Sequence, residues 1–263
     1  MKIMGILNVT PDSFSDGGSY VDLEKAVAHA KQMVADGADI IDVGGESTRP
    51  GATPVTLEEE LARVIPVIKR LKEEIFIPIS IDTYKAEVAR QATDAGASII
   101  NDVGGAKLDS NMPKIMAESG AQVVLMHSKP HAEEGEISDL HDEVLAGLKD
   151  SIDLVIQAGV THEKIIVDPG IGFGKWMGQN VKILKDISLY QQSLNMPILL
   201  GVSKKRVVRE LMESNELEML STGTIATTCD AYIKGIDYIR VHDVKENKIA
   251  INVMRNLGSV DTT

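Results

Sequence analysis

Apolar and polar positions along the chain fall into one unit that repeats. An amphipathic stretch ends in Gly, a short apolar run follows, and the run stops at a polar residue. The unit appears at Gly37-Ala38 before Ile40, Ile41 and Asp42, and at Gly96-Ala97 before Ile99, Ile100 and Asn101. It returns at Gly120-Ala121 before Val123, Val124, Leu125, Met126 and His127, and at Gly159-Val160 before Ile165, Ile166, Val167 and Asp168. Gly235-Ile236 leads in the same way to Tyr238, Ile239 and Arg240. A left-handed Gly closes a helix. An apolar run without alternation is a strand covered on both faces, as in a parallel sheet.

The pattern predicts eight strands, near 2–7, 39–43, 78–81, 98–100, 122–125, 164–167, 197–200 and 237–240. Helices are predicted near 22–36, 56–74, 85–94, 110–119, 138–157, 179–192, 204–214 and 243–257, with an extra helix within 215–233. Leu57, Leu61, Val64, Ile65, Ile68 and Leu71 form one helical stripe, behind a capping box of Thr56 and Glu59. Ile249, Ala250, Val253, Met254 and Leu257 form another, with Asp243 as its N-cap. Strict alternation of strand and helix demands a parallel sheet. Eight units favour a single (β/α)8 barrel over residues 1–263, with the extra helix in the last crossover; an open doubly wound sheet is the alternative. A barrel of this kind typically takes about 250 residues, and the chain has 263.

Composition narrows the classes. With 27 Lys and Arg against 39 Asp and Glu, the net charge is −12, which disfavours nucleic acid and anionic membranes as partners. No apolar stretch approaches the ~18 residues of a membrane span. The lone cysteine, Cys229, forms no internal disulfide and reads as buried packing in a cytoplasmic protein.

Active sites of such barrels lie at the C-terminal ends of the strands, so the residues just after each run matter most. Asp82, Asn101 and Asp168 supply hydrogen-bond acceptors there. An ionised Asp only accepts, so these positions suit a flat nitrogen heterocycle with adjacent N–H groups. Arg49, Lys205, Arg240 and His242 supply cations. Grouped in an acidic chain, they point to a phosphate or pyrophosphate on the same ligand. Taken singly, an Asp after a strand is more often a helix cap than a ligand; the convergence of these residues on one rim is what carries the reading.

The blocks Leu7–Gly18 (LNVTPDSFSDGG) and Asp42–Gly51 (DVGGESTRPG) resemble the two signature blocks of the dihydropteroate synthase family. Ser80–Thr83, Ile100–Asp102, Asp168–Lys175 (DPGIGFGK) and Ile239–His242 resemble its later motifs, in the same order. The resemblance implies a (β/α)8 barrel that joins 6-hydroxymethyl-7,8-dihydropterin pyrophosphate to 4-aminobenzoate in folate synthesis. It implies that Asp82, Asn101, Met126, Asp168, Phe173, Lys205 and Arg240 form the pterin pocket. Asn8, Arg49, Arg240 and His242 match the pyrophosphate side, with Asn8 a ligand of Mg²⁺. Thr48, Pro50, Phe173, Ser203 and Lys205 match the aminobenzoate pocket. Lys205, Arg240 and His242 are the expected catalytic residues. A homodimer is implied. The ten-residue loops after the first two strands are expected to be mobile lids, and the polar segment Lys129–Glu136 reads as a mobile loop.

The chain departs from the family at a few places. Ser203-Lys204-Lys205 stands where Ser-Arg-Lys is common, Val207 lies near the place of an aromatic, and Trp176 follows Lys175 where Thr is usual. Gln179 replaces a His, with Asn180 kept, and the stretch after His127 lacks Gly-x-Pro. Arg and Lys are not equivalent donors, so these changes bear on 4-aminobenzoate and sulfonamide affinity. Two other readings share the pterin pocket: a pterin-dependent corrinoid methyltransferase, and a non-catalytic pterin-binding protein. The first needs none of the phosphate cations; the second would have lost Asn8, Lys205 or Arg240.

Overall fold

Eight strands stand at the predicted apolar runs: β1 (Lys2–Asn8), β2 (Ile40–Gly44), β3 (Ile79–Asp82), β4 (Ile99–Asp102), β5 (Gln122–Met126), β6 (Ile165–Asp168), β7 (Leu199–Leu200) and β8 (Tyr238–Val241). The computed structural model describes residues 1–9, 20–47, 53–129, 139–213, 216 and 219–259. All strand pairs are parallel, in the order β6-β5-β4-β3-β2-β1-β8-β7. A bridge between Val167 and Ile198 joins the two ends, so the sheet closes into a barrel and the open-sheet alternative falls away.

The described helices are α1 (Tyr20–Ala35), α2 (Leu57–Glu74), α3 (Ala86–Ala95), α4 (Met112–Ser119), α5 (Leu140–Ala158), α6 (Met177–Lys185), α7 (Ser188–Leu194), α8 (Arg206–Leu211), α9 (Leu220–Ile233) and α10 (Val244–Ser259). The extra helix of the last crossover is α9. The five glycines of the repeat all take positive φ, from 63° to 121°, as a left-handed helix stop requires.

Two apolar cores result. The larger lies between strands and helices and includes Ile41, Val43, Ile68, Ile100, Val123 and Val144. The smaller fills the lower barrel with Met4, Ile40, Ile99, Val124, Ile166, Leu199 and Tyr238. Alternate strand residues face opposite ways, so one layer above these side chains the inward positions include Asp42, Asn101, Asp168 and Arg240.

Several local expectations change. The helix expected over 179–192 is two, α6 and α7, broken so that Ile187 and Tyr190 bury while Asp186 takes His141 Nε2 at 2.9 Å. The helix expected from 204 starts at Arg206, because Lys204 sits at φ 56°. The Thr56 hydroxyl does cap Glu59 N at 3.2 Å, but the Glu59 carboxylate takes Arg63 at 2.6 Å. On α10 the inward residues are Val244, Asn247 and Ile251, and the predicted stripe faces out, with Ile249, Val253 and Leu257 exposed. Asp243 precedes α10, yet its carboxylate binds Lys204 and Ser221. Cys229 is half-buried and free. No described helix is long and apolar enough to cross a membrane.

Candidate active site

Strand register assembles the site. Asp82 lies opposite Asn101, Met126 opposite Asp168, and Asn8 opposite Gly44, which itself pairs with Asp82. The C-terminal ends of β1, β3, β4, β5 and β6 therefore deliver five of the predicted residues to one rim. Lys205 and Phe173 come from the following loops: Lys205 Nζ stands 4.6 Å from the centre of the Phe173 ring and donates to Ile171 O at 2.7 Å. Around Gly201 gather Asp168 Oδ2, Arg240 Cβ and Lys205 Nζ, each within 4 Å of where a Cβ would sit. A side chain there would fill the space the three share.

Arg240 crosses the barrel. Its Nε donates to Asp42 Oδ2 and its Nη2 to Asp82 Oδ2, both at 2.6 Å. Asn101 Nδ2 donates to the same Asp42 oxygen at 3.1 Å. Asp42 thus aims two pocket residues at once, although it was expected only as part of a signature block. The signal was present: a carboxylate inside the run Ile40-Ile41-Asp42-Val43 is fully buried, and a buried charge requires a partner. Asp42 Oδ1 and Asp82 Oδ1 are buried without hydrogen-bond partners, which leaves acceptor capacity unused at the rim.

Burial dominates the electrostatics. It pushes the Asp82 carboxyl up to about 7, against the pull of Arg240 and with Asp42 adding repulsion. It raises Asp168 as well, opposed by Lys205, the Gly170 N–H, Lys175 and Arg240. It lowers Lys205 to about 8, opposed by Asp168 and Asp82. Asp82 and Lys205, held this close to neutrality, need little energy to change partners when a ligand enters.

The far side of the rim carries His242 and Ser203. Ser203 Oγ lies 2.9 Å from His242 Nδ1, and His242 N donates to the same oxygen at 3.2 Å. Ser203 therefore orients the imidazole. Lys204 turns away, with Nζ on Asp243 at 2.8 Å and its N–H on Thr224 Oγ1 at 3.1 Å. Its departure from Arg falls outside the pocket, and Val207 is buried.

Loop shape after β6 depends on residues beyond the pocket. Asn180 Oδ1 accepts from Gly172 N at 2.7 Å, and its Nδ2 donates to Lys175 O and Trp176 O. Gln179 Oε1 accepts Trp176 N at 3.3 Å, so the Trp176 and Gln179 departures belong to the start of α6. Gly170 and Gly174 have φ of 73° and 68°, and a Cβ on either would stand 1.9 Å from the carbonyl oxygen of His127 or Lys129. Only glycine lets this loop lie against the segment after β5.

Thr48, Arg49 and Pro50 lie outside the described residues, as do 10–19 and 130–138, so the expected lids and most of the Lys129–Glu136 segment do as well. The flanks of 48–52 are described. Glu46 Oε1 accepts from Tyr84 Oη at 2.9 Å and Val55 N at 3.3 Å, and Lys85 Nζ bridges Glu46 and the buried Glu60. Among the described residues no group of three His, Cys, Asp or Glu is placed to hold a metal ion. Asn8 Oδ1, beside Gly44 and Asp82, is a hard oxygen donor at the rim.

Residues 4–242 match a family model described as pterin binding enzyme. The dihydropteroate synthase of Bacillus subtilis (strain 168) is 50% identical over 244 residues, covering 93% of this chain and 84% of that protein. A Xanthomonas albilineans dihydropteroate synthase structure with 4-aminobenzoic acid superposes with a TM-score of 0.92 at 41% identity, covering 99% of this chain and 94% of the other. Another from the same organism, in complex with 7,8-dihydropteroate, gives 0.89 at 39% identity with the same coverage.

Proposed function

The chain belongs to the pterin-binding enzyme family, and from that premise we infer that it carries out the dihydropteroate synthase reaction. It condenses 6-hydroxymethyl-7,8-dihydropterin pyrophosphate with 4-aminobenzoate, releasing pyrophosphate and forming 7,8-dihydropteroate. One observation carries the reading beyond likeness: Asp82, Asn101 and Asp168 line a single rim with Arg240 and Lys205 among them. That arrangement offers carboxylates to ring N–H groups and cations to a departing anion.

The roles of the described residues follow from this geometry, and those of Thr48, Arg49 and Pro50 from the family resemblance alone. Asp168 and Asp82 accept from the ring N–H groups, and Asn101, with Asp42 on its amide, presents its oxygen. Met126, buried beside Asp168 in register, supplies an apolar wall. Phe173 and Lys205 form the side where 4-aminobenzoate enters, with Thr48, Pro50 and Ser203. Arg240 is held at Nε by Asp42, so its outer nitrogens can leave Asp82 for the ring face and the pyrophosphate. His242 and Arg49 complete the anion side. The amine of 4-aminobenzoate is neutral near pH 7, so its attack on the methylene needs no strong base. Stabilising charge on the leaving oxygens is the main task.

Asn8 would give Mg²⁺ one protein oxygen, and the ion when bound would neutralise pyrophosphate charge. Mg²⁺ usually takes only one or two protein ligands beside substrate phosphates and water, so a sparse donor set suits it. A homodimer is proposed on the strength of the exposed Ile249, Val253 and Leu257 face of α10, and a cytoplasmic location on the single cysteine.

Pyrophosphate release should depend on 4-aminobenzoate. Release that ignores 4-aminobenzoate, or none at all with both substrates and Mg²⁺ present, would overturn the assignment and favour the methyltransferase or non-catalytic reading.

A further inference from the structure

Besides Asn180, the loop after β6 is tied by a buried lysine whose ammonium binds backbone carbonyls. Lys175 is 5% exposed. Its Nζ donates to the carbonyls of His127 at 3.0 Å, Gly170 at 2.9 Å and Phe173 at 3.2 Å. Its hydrogen-bond partners among the described residues include no carboxylate. Burying an ammonium this way is costly, and an aliphatic side chain would fill the same volume without that cost. The position calls for a use of the charge.

Two links lead from Lys175 to the pocket. Gly170, whose carbonyl takes Nζ, donates its own N–H to Asp168 Oδ1 at 2.7 Å. Phe173, whose carbonyl takes the third proton, carries the ring under Lys205. Gly170 and Gly174 permit the close approach to the segment after β5, but they do not hold it there; Lys175 ties His127 O to Gly170 O and does.

We propose that Lys175 is a positioning residue for the pterin pocket: through Gly170 it fixes the Asp168 carboxylate, and through the Phe173 carbonyl it fixes the Phe173 ring. The proposal rests on the pterin reading of that pocket. A second consequence is electrostatic. Burial raises the Asp168 carboxyl, and Lys205, the Gly170 N–H, Lys175 and Arg240 oppose that rise. Lys175 in turn is pulled down to about 7 by burial, held up by Asp168 and Glu143 and lowered further by Lys129 and Lys205; burial depresses the neighbouring His127, and Lys175 adds to it. Removing its charge lets Asp168 take a proton at higher pH, where it would present O–H to the ring N–H groups.

The test is steady-state kinetics of the full chain as Lys175→Met and Lys175→Gln, with urea unfolding to confirm the fold. The Met variant should raise KM for the dihydropterin pyrophosphate about tenfold, roughly 1.4 kcal/mol, with kcat within about threefold. The acid limb of pterin affinity should move up by about half a pH unit or more. The Gln variant, which keeps two donors and loses the charge, should show the pH change with a smaller rise in KM. An unchanged KM and acid limb in both variants overturns the proposal while leaving the pocket reading intact. A wild type that lacks 4-aminobenzoate-dependent pyrophosphate release overturns the reading itself. Should both variants fail to fold, the wild-type Gly170 amide proton decides by NMR: it should shift as Lys175 titrates near pH 7, and indifference to that titration overturns the proposal.

Discussion

The two ends of the barrel use the same residue type in opposite ways. At the base, carboxylates cap strands: Asp39 Oδ2 accepts from Ile3 N at 2.8 Å, and Asp237 Oδ2 accepts from Ile198 N at 2.9 Å and Gln191 Nε2 at 2.8 Å. Backbone amides and one side-chain amide satisfy them, and the layer above is apolar. At the rim, Asp42, Asp82 and Asp168 face Arg240 and Lys205, and two of their buried oxygens have no partner. Native interiors rarely leave such atoms unpaired. The base is built for stability, while the rim gives up stability to keep acceptors ready for a ligand.

The largest break in that contrast comes from Arg240→Met. It leaves Asp42 and Asp82 buried without their counter-ion, and loss of one partner from a buried pair costs about 3–5 kcal/mol. The loss should depend on pH. Burial already pushes Asp82 up to about 7 with Arg240 opposing, and without Arg240 it rises further. A group raised in the folded state adds stability below its unfolded value, near 4, and loses it as pH rises through the folded value. The deficit should therefore be greatest at pH 8 and shrink toward pH 5.5 in urea unfolding. A deficit that is flat or grows on acidification contradicts the pairing. Turnover should fall with either outcome.

Next in size is Asp168→Asn. It replaces an acceptor by a group that directs N–H toward ring N–H, so affinity for a pterin such as 6-hydroxymethylpterin should drop about 10–100-fold by calorimetry. The fold should keep or gain stability, because a buried charge is gone. Unchanged affinity would remove Asp168 from the pocket.

How much of this could be read from the sequence follows the same division. Strand positions were legible because apolar runs between Gly stops have one physical reading, and the rim residues were legible because each ends such a run. Asp42 was harder: it sits within its run, and only the closed barrel brings Arg240, 198 positions away, against it. Lys175 and Asn180 act on backbone carbonyls and amides, so nothing in their spacing announces the loop they hold. The break between α6 and α7 and the outward stripe of α10 were misread for a related reason. Periodicity shows that a helix has an apolar face, not which surface that face meets.

At the base, Asp237→Ala should cost about 1–3 kcal/mol, since the Ile198 N–H and the Gln191 amide both lose their acceptor. Urea unfolding reads the loss, and kcat/KM for both substrates should stay within about twofold. A kinetic change larger than that would mean the two ends are coupled through β7.

The smallest effect sharpens the comparison most. Asp39→Asn is the same isosteric exchange as Asp168→Asn, made at the other end of the barrel. The Asn carbonyl can still accept from Ile3 N, because that donor needs one oxygen and no charge. Lys248 Nζ is 4.0 Å away, and the Asp39 side chain is 37% exposed; such a pair contributes little. Stability should change by less than about 0.5 kcal/mol, and pterin affinity should not change at all. If Asp39→Asn costs as much as Arg240→Met, charge matters at the base too, and carboxylates there are not simply strand caps. If it costs nothing while Asp168→Asn loses the ligand, then the difference lies in what each carboxylate faces: a backbone amide fixed by the fold, or a space that only a substrate fills.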